Sequence, residues 1–470
     1  MSVQMDLSGA ARAVSGHAVG ENVTFVGAST DSRGVRPGEL FVALRGERFD
    51  GHDFVAVARE RGATAVMVDI AGADKLQANE TTAGIPALVV DDTRLALGRL
   101  AANWRARFKL PLIGVTGSNG KTTNKEMIAS ILQANFGADA VLSTQGNLNN
   151  DIGLPLTLLG LGAEHRAAVI EMGMNHPGEI AYLAQIARPT VALVTNAQRA
   201  HLEGMGTLAT IATEKGSIFS GLADDGVAVF NADDPWADLW RSQSAHCRRL
   251  CFSLDGQADV SGTCRTHGLE NHATLVVGSE RIDVDLALPG RHNVRNALGA
   301  ATAALAAGIP LTAIKQGLTD FRGIKGRLQR RAGVHGAQLL DDTYNANPDS
   351  VCAGIDVLAA TVGRKILVLG DMVEIGAMSG QFHDEVGGYA KSQGVDRLLA
   401  FGESSALAAR NFGAGGEHFR QVEELVAALI AELTPDTVVL VKGSRFMRME
   451  RVIEAIAKPS EQKEEKTPCC

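Results

Sequence analysis

Short apolar runs alternate with amphipathic helical segments along most of this chain. In its first hundred residues, the apolar runs 40–44, 63–68 and 87–90 predict strands, and the segments 52–61 and 93–108 predict helices. The second helix places five apolar side chains on one face: Leu97, Leu100, Ala101, Trp104 and Phe108. Strands that alternate with helices are typical of parallel sheets covered by helices, so the pattern predicts an α/β fold.

The same pattern restarts twice after residue 109. A second unit is predicted from strands at 112–116, 167–170, 191–194 and 227–230 and a helix at 292–307; a smaller third unit has strands at 338–340, 366–369, 398–401 and 438–441. With 470 residues, about three domains of ~150 residues are expected. We predict a small N-terminal α/β domain (1–108), a central doubly wound sheet (109–328), a Rossmann-like domain (329–458) and a disordered tail (459–470).

The composition excludes several classes of function. Apolar residues make up 45% of the chain and charged residues 21%, as in ordinary globular proteins. The net charge of −8 lacks the positive excess that nucleic acids or anionic membranes attract, so an anionic substrate needs a local basic pocket. No stretch reaches the ~20 apolar residues of a membrane span, and no signal segment is present. Six cysteines without a CxxC pair predict reduced thiols in a cytoplasmic protein.

A glycine-rich turn follows the predicted strand 112–116 and opens an amphipathic helix. Its residues are Gly117, Ser118, Asn119, Gly120, Lys121, Thr122 and Thr123. Backbone N–H groups of such a turn face a phosphate, lysine reaches the terminal phosphates, and the next hydroxyl can bind Mg²⁺. The usual spacing would place a glycine at position 115, whereas Gly114 stands one residue earlier. A turn that binds nothing is the alternative, but we expect this phosphate loop to bind nucleotide.

Polar residues follow two other predicted strands of the central unit. Glu171 ends an apolar strand and His201 lies in the loop after the strand 191–194. Ligands gather at the carboxyl ends of parallel strands, where Glu171 could hold Mg²⁺ opposite the loop threonine. The alternatives are a solvated glutamate and a packed or exposed histidine. Lys215 lies on the following helix, where charge repulsion from Mg²⁺ predicts a surface residue or an ion pair.

These elements occur in the order found in the Mur ligases, which use ATP to build the cytoplasmic peptidoglycan precursor. The chain resembles that family from 29–33 to 442–445. Six segments resemble in particular the members that add D-alanyl-D-alanine to UDP-N-acetylmuramoyl-tripeptide: 40–54, 146–155, 171–180, 341–350, 369–376 and 441–445. The Asp-Asn-Pro-Arg element of the tripeptide-forming members is absent, which favours the dipeptide-adding activity.

The resemblance implies a set of site residues. The catalytic residues are Lys121, Glu171, His201, Lys215, Arg327 and Lys442, and Lys215 matches a lysine that CO₂ carbamylates in this family. The implied metal ligands are Thr122, Glu171, His201 and, once carbamylated, Lys215. Besides the phosphate loop, ATP is expected to contact Asn293, Asn296, Arg327 and Asp342. The uridine diphosphate end of the substrate is expected at Thr30, Asp31, Ser32, Arg33, Arg45 and Gly46. The peptide is expected to face Asn147, Asn149, Asn150 and Asp151, and the nucleotide or dipeptide side is expected at Tyr344, Asn345 and Asn347.

The implied reaction uses ATP and Mg²⁺ and passes through an acyl phosphate, and the family likeness implies a monomer. Other interpretations remain open at this stage. They are another Mur-type or folylpolyglutamate-type amide ligase, a phosphate-loop switch that hydrolyses nucleotide to change partners, and a non-catalytic nucleotide-binding scaffold.

Overall fold

The computed structural model describes residues 3–458, and three α/β units account for most of them. The predicted disordered tail at 459–470 lies outside the described residues, as do Cys469 and Cys470. Within the described part, no helix is both long and apolar enough to cross a membrane. The predicted fold class is confirmed: a small N-terminal α/β unit precedes a central doubly wound sheet and a C-terminal Rossmann-like unit.

The N-terminal unit is built on a five-stranded sheet. Its strands lie in the order His17–Val19, Ala87–Val90, Ala65–Asp69, Leu40–Val42 and Ala28–Ser29, and only the first pair is antiparallel. A short ribbon pairs Met5–Asp6 with Thr24–Phe25. The helical segments are Leu7–Val14, Gly51–Phe54 (3₁₀), Val55–Glu60, Ile70–Ala78 and Thr93–Arg105.

The helix Thr93–Arg105 joins the N-terminal unit to the central one. Its apolar face, predicted from the sequence, packs in one core with the central helices Gly153–Leu159 and Glu179–Ala187. The helix ends three residues earlier than predicted because the buried Arg105 guanidinium donates to the carbonyls of Phe108 (2.6 Å) and Ala187 (3.1 Å). These bonds turn the chain toward the next strand and fix the two units together.

The central unit contains a nine-stranded sheet. The order is Glu280–Leu286, Glu270–Val277, Val260–His267, Arg248–Ser253, Val227–Asn231, Val191–Val194, Leu112–Thr116, Ala167–Glu171 and Val141–Ser143. The helices are Lys121–Phe136, Gly153–Leu159, Glu179–Ala187, Leu202–Met205, Leu208–Gly216, Ala237–Gln243, Arg291–Ala306 and Leu311–Asp320, with 3₁₀ turns at Ala138–Ala140 and Ser217–Gly221. Helices cover both faces, since alternate strand residues such as Leu193 and Val194 enter different cores.

Three strands at one edge of this sheet depart from the predicted βα alternation. Val260–His267, Glu270–Val277 and Glu280–Leu286 form an antiparallel meander. Gly268 and Gly278 lie in its two tight turns at positive φ, which glycine adopts without a steric penalty. The strands alternate buried and exposed residues, because only one face packs on the core. The alternation of polar and apolar residues, rather than a continuous apolar run, is the pattern that indicates strands in this segment.

The C-terminal unit contains a six-stranded sheet. The order is Gln329–Ala332, Gln338–Asp342, Thr437–Lys442, Arg364–Gly370, Arg397–Phe401 and Gly416–Phe419, and only the first pair is antiparallel. The helices are Pro348–Ala359, Ser379–Ser392, Ser405–Phe412, Val422–Glu432 and Glu450–Ile456, with 3₁₀ turns at Val334–Gly336, Gly376–Met378 and Arg445–Met447. The strand ends at Asp342 and Lys442 lie next to each other and face the central unit.

Close packing of two helices in the C-terminal unit depends on Gly387. A Cβ added there would lie 2.1 Å from the carbonyl oxygen of Ala408, a backbone atom. We expect Gly387→Ala to lower the free energy of unfolding by about 1–3 kcal/mol through overpacking, measured by urea denaturation. Gly380→Ala on the same helix is the control, because its Cβ would meet only the end of the Leu407 side chain at 3.2 Å. Equal stability of the two variants would contradict the close approach.

Candidate active site between the central and C-terminal units

The phosphate loop is held by the loop that follows the neighbouring strand Val191–Val194. The backbone N–H groups of Ser118 and Asn119 donate to the backbone oxygen and side-chain oxygen of Asn196 (3.0 and 2.9 Å). The Thr195 hydroxyl donates to the carbonyl of Asn119 at 2.7 Å. Gly117 has a φ of +148°, and a Cβ there would lie 1.8 Å from Thr195 Oγ1. Only glycine therefore fits at this position.

Lys121 begins the helix that follows the loop. Its Nζ donates to the carbonyls of Gly117 (2.7 Å) and Ser118 (3.1 Å), so the ammonium lies against the loop. Burial lowers the pKa of Lys121 to about 8, with Glu171 opposing the shift and Arg327 adding to it. The lysine is thus a cation held in a site of restricted solvent access, where an anion has a strong electrostatic advantage.

Glu171 lies buried at the end of its strand rather than solvated. One carboxylate oxygen accepts a hydrogen bond from Asn149 Nδ2 at 2.8 Å. The other oxygen is buried and has no hydrogen-bond partner among residues 3–458. An unpartnered buried carboxylate oxygen is costly unless a ligand satisfies it.

His201 and Lys215 both lie near enough to Lys121 for its charge to act on them. His201 Nδ1 lies 3.3 Å from Glu374 of the C-terminal unit; this carboxylate raises the histidine pKa, but burial and the charges of Lys121 and Lys215 lower it overall. Lys215 is 1% exposed and, in the described part of the chain, its ammonium has no ion-pair partner. Charge repulsion predicted a surface residue or an ion pair, and that prediction is wrong. Burial and the nearby Lys121 lower the pKa of Lys215 well below its usual value.

Two cavities adjoin the phosphate loop, and both are bounded by Asn119, Gly120 and Arg327. The first, of about 260 Å³, is lined by the predicted residues Thr123, Asn293, Asn296, Asp342 and Lys442. The second, of about 590 Å³, is lined by the predicted residues Ser118, Lys121, Thr122, Asn147, Asn149, Asn150, Asp151, Glu171, His201, Tyr344, Asn345 and Asn347. The fold therefore brings together residues from both units that are more than 200 positions apart in the sequence.

Three basic residues lie at this junction: Lys442 and Arg445 of the C-terminal unit, and Arg327 in the segment just before that unit. The Lys442 ammonium, 2% exposed, donates to Asp342 (2.6 Å) and to the carbonyl of Asn345 (2.9 Å). The Arg327 guanidinium lies 4.0 Å from the centre of the Tyr344 ring, and the Arg445 guanidinium lies 5.9 Å from the same ring. These cations supply the local positive charge that the acidic chain as a whole lacks.

The residues predicted for the nucleotide-linked end of the substrate lie apart from this junction. Thr30, Asp31, Ser32, Arg33, Arg45 and Gly46 all belong to the N-terminal unit and line neither cavity. Arg45 is engaged with Asp69, 2.7 Å from its Nε, and with Asp50. Arg33 is largely exposed and pairs with Asp31 at 2.9 Å.

Several residues that line the first cavity were missed by the sequence analysis: Asn124, Gln198, Asn231, Asp233, Asp234, His292 and Arg295. Asn231 ends a parallel strand and the two aspartates follow it. The same rule that selected Glu171 could therefore have found them. Glu374 was also missed, since its contact with His201 joins two units and leaves no local signal.

The donors present fit a magnesium ion. The unpartnered oxygen of Glu171 and the Thr122 hydroxyl border the same cavity. No group of three or more His, Cys, Asp or Glu side chains suited to a metal exists between residues 3 and 458. Mg²⁺ commonly takes only one or two protein carboxylates and completes its shell with water and substrate phosphates, so this sparse donor set suits it.

Three family models match successive parts of the chain. They are described as "Mur ligase family, catalytic domain" (residues 22–105), "Mur ligase middle domain" (115–304) and "Mur ligase, glutamate ligase domain" (326–445). The chain belongs to the Mur ligase family. Together these matches cover both cavities and the connection between them.

Individual proteins similar to this Mur ligase extend over almost its full length. UDP-N-acetylmuramoyl-tripeptide–D-alanyl-D-alanine ligase of Escherichia coli K12 is 43% identical over 462 residues, 97% of this chain and 98% of the relative. A crystal structure of MurF from Acinetobacter baumannii has a TM-score of 0.88 at 34% identity and covers 96% of this chain and 98% of that one. MurF ligase from Thermotoga maritima, in complex with ADP, has a TM-score of 0.78 at 28% identity, with 91% and 96% covered.

The geometry of the loop identifies Gly117, rather than Gly114, as its critical glycine. We expect ADP to raise the melting temperature of this Mur ligase, and Gly117→Ala to abolish that rise because the new Cβ collides with Thr195. Gly114→Ala is the control, since its Cβ would meet side-chain atoms at 3.1 Å or more. It should retain the ADP-dependent shift, and an unchanged shift in both variants would contradict this account.

His292, which borders the first cavity, makes folding sensitive to acid. Burial and the charges of Lys442 and Arg295 lower its pKa from 6.5 to about 4. Between those pH values the unfolded chain binds a proton that the folded protein does not, so stability falls as the pH falls from 6.5 toward 4. The slope can reach ~1.4 kcal/mol per pH unit. Denaturation at several pH values should show a shallower loss for His292→Gln, and parallel curves would disprove this role.

Proposed function

We propose that this Mur ligase joins D-alanyl-D-alanine to UDP-N-acetylmuramoyl-tripeptide and converts ATP to ADP and phosphate. The observation that carries this proposal is the larger cavity, where Lys121, Glu171 and His201 of the central unit meet Tyr344, Asn345 and Asn347 of the C-terminal unit. The near-complete overlap with the E. coli ligase supports the choice of substrates.

The two cavities would bind different parts of the substrates. In our proposal the smaller one takes the adenosine of ATP, with Asn293, Asn296 and Asp342 as contacts, and the phosphates lie along the loop. The larger one takes the tripeptide carboxylate and the dipeptide, with Asn147, Asn149, Asn150 and Asp151 on one side. Tyr344, Asn345 and Asn347 border it from the C-terminal unit.

The chemistry requires activation of a carboxylate. A carboxylate oxygen of the tripeptide attacks the γ-phosphorus of ATP, the bond to ADP breaks, and an acyl phosphate forms. The amine of the dipeptide then attacks the acyl carbon, the carbon–oxygen bond breaks, phosphate leaves and the nitrogen loses a proton. No side chain needs to become a nucleophile, so the protein contributes positioning and charge.

Basic residues from two units supply that charge. Lys121 is held against the phosphate loop, Arg327 borders the same region at the end of the central unit, and Lys442 borders it from the C-terminal unit. Preorganised donors of this kind are each worth roughly 10²–10³ in rate. Burial between the units also limits access of water, which would hydrolyse the acyl phosphate.

Glu171 and Thr122 would hold Mg²⁺ at the phosphates, where the ion neutralises charge on the transferring group. A second set would consist of His201 and a carbamylated Lys215. Carbamylation requires a neutral amine, and the lowered pKa of the buried Lys215 provides one. In this reaction the amine nitrogen bonds to the carbon of CO₂ and loses a proton, so the neutral amine becomes a carbamate with anionic oxygen donors.

The remaining assignments follow from the same activity. We propose that Thr30, Asp31, Ser32, Arg33, Arg45 and Gly46 bind the uridine diphosphate end, and that the domains extend over 1–108, 109–328 and 329–458. Arg45 must then exchange Asp50 and Asp69 for phosphate oxygens. We also propose a cytoplasmic monomer, since both nucleotide substrates are cytoplasmic.

Phosphate release measured with purified protein tests the activity. We expect release only when ATP, Mg²⁺, UDP-N-acetylmuramoyl-tripeptide and D-alanyl-D-alanine are all present, with a pentapeptide product visible by mass spectrometry. Lys121→Ala should abolish ADP formation. Lys442→Ala should reduce kcat by roughly 10²–10³ and affect ATP binding less, because its charge acts mainly on the transferring group.

The control reactions separate this proposal from its alternatives. Single amino acids or glutamate replacing the dipeptide as acceptor would indicate another amide ligase of the same family. Hydrolysis of ATP without either peptide substrate would indicate a nucleotide switch, and the absence of any turnover would indicate a scaffold. Each of these results would overturn the proposal.

A further inference from the structure

A short segment of the central unit is bonded to the phosphate loop on one side and to the C-terminal unit on the other. Within residues 198–203, the Gln198 backbone N–H donates to Ser118 Oγ at 2.9 Å, and the Gln198 side-chain oxygen accepts from Asn119 at 2.7 Å. Leu202 packs on the core of the C-terminal unit. This segment therefore connects the phosphate loop to the C-terminal unit through side chains of its own, beside the direct pair of Asn119 and Asn347.

Arg199 makes most of the polar contacts between this segment and the C-terminal unit. Its backbone N–H donates to Asp349 Oδ2 (2.7 Å), and its Nε and Nη2 donate to Asp349 Oδ1 (3.0 and 2.7 Å). Its Nη1 donates to both carboxylate oxygens of Glu385 (3.0 and 2.9 Å). The guanidinium also lies 5.2 Å from the centre of the Phe382 ring.

The partners of Arg199 lie on two helices of the C-terminal unit. Asp349 is in the first turn of Pro348–Ala359 and borders the smaller cavity, and Glu385 belongs to Ser379–Ser392. The Arg199 and Asp349 side chains are each 23% exposed, so solvent screens this pair less than a surface pair. Without Arg199, two neighbouring carboxylates would face the central unit with no cation between them.

Other polar contacts of the same junction carry less charge. Asn119 and Asn347 form a pair of amide hydrogen bonds (2.8 and 3.2 Å), and His201 pairs with Glu374 although the pKa of its imidazole is lowered. Arginine, in contrast, stays charged at any physiological pH and can bridge two carboxylates through its fixed fork of donors.

We propose that Arg199 is a positioning residue that docks the C-terminal unit against the phosphate loop and so brings Lys442 into place for phosphoryl transfer. The catalytic half of this inference rests on the proposed function, whereas the docking half does not. Arg199 does not line either cavity and acts through Asp349, Glu385 and the neighbouring Gln198.

Small-angle X-ray scattering and steady-state kinetics on the full chain test both halves. We expect Arg199→Ala to increase the radius of gyration of the protein without substrates and to lower kcat about tenfold. The KM for the UDP-linked tripeptide should stay within about twofold, because the N-terminal unit is not moved. Arg199→Lys should fall between Arg199→Ala and the wild type, since a point charge cannot bridge both carboxylates.

Arg397→Ala is the matched control. Arg397 is 21% exposed, close to the value for Arg199, and also pairs with two carboxylates, Glu417 and Glu432, but all three belong to the C-terminal unit. This variant should lose thermal stability and keep the wild-type scattering curve and kcat. A matching expansion in Arg397→Ala would show that loss of any such arginine loosens the protein, which would overturn the proposal.

The outcomes for Arg199→Ala are decisive in each combination. Wild-type scattering disproves the docking role, and expansion with an unchanged kcat disproves the positioning role. If Arg199→Ala does not unfold cooperatively, Glu385→Gln takes its place. We then expect a smaller increase in the radius of gyration and a smaller decrease in kcat. No change in either quantity would disprove the proposal. If the wild type forms no pentapeptide, the proposed function fails, while scattering still decides whether Arg199 docks the units.

Discussion

The site depends on the contact between the phosphate loop and the strand beside it. Gly117 lies so close to Thr195 that no side chain fits, and Asn196 satisfies two backbone donors of the loop. These contacts within the protein hold the loop in shape, which lowers the conformational cost of binding an anion there. The segment that follows Asn196 continues to His201, so the same contact also places the histidine and the docking residue Arg199.

Charge is concentrated where the units meet. Lys121, Lys215 and Lys442 are all withdrawn from solvent, and this burial lowers the pKa of each of them. Lys442 has a carboxylate as hydrogen-bond partner, whereas the ammonium of Lys121 donates only to carbonyl oxygens of the loop. A buried ammonium without a carboxylate partner is unfavourable, and the phosphates of ATP would supply the negative charge that it lacks.

Much of the fold could be predicted from apolar periodicity. The strands Leu112–Thr116 and Val191–Val194 lie at the predicted positions, because buried parallel strands are continuous apolar runs. The meander of 260–286 was missed because its half-exposed strands alternate polar and apolar residues instead. For the site, the local sequence pattern predicted the phosphate loop and Glu171. It did not predict the burial of Lys215 or the contact of Glu374 with His201, because residues distant in the sequence create those environments.

The sequence by itself determined the strand–loop–helix of 112–136, the three-unit order and, through motif likeness, the family. Each rests on local constraints. Glycine is needed where φ is positive, apolar residues are needed where a strand is buried, and motif residues keep their short spacing along the chain. Tertiary structure alone decided that Lys215 is buried, that Glu171 keeps one oxygen free, and that Arg199 meets Asp349 and Glu385. Burial and electrostatic partners are properties of packed surfaces, and they exist only once separate parts of the chain come together.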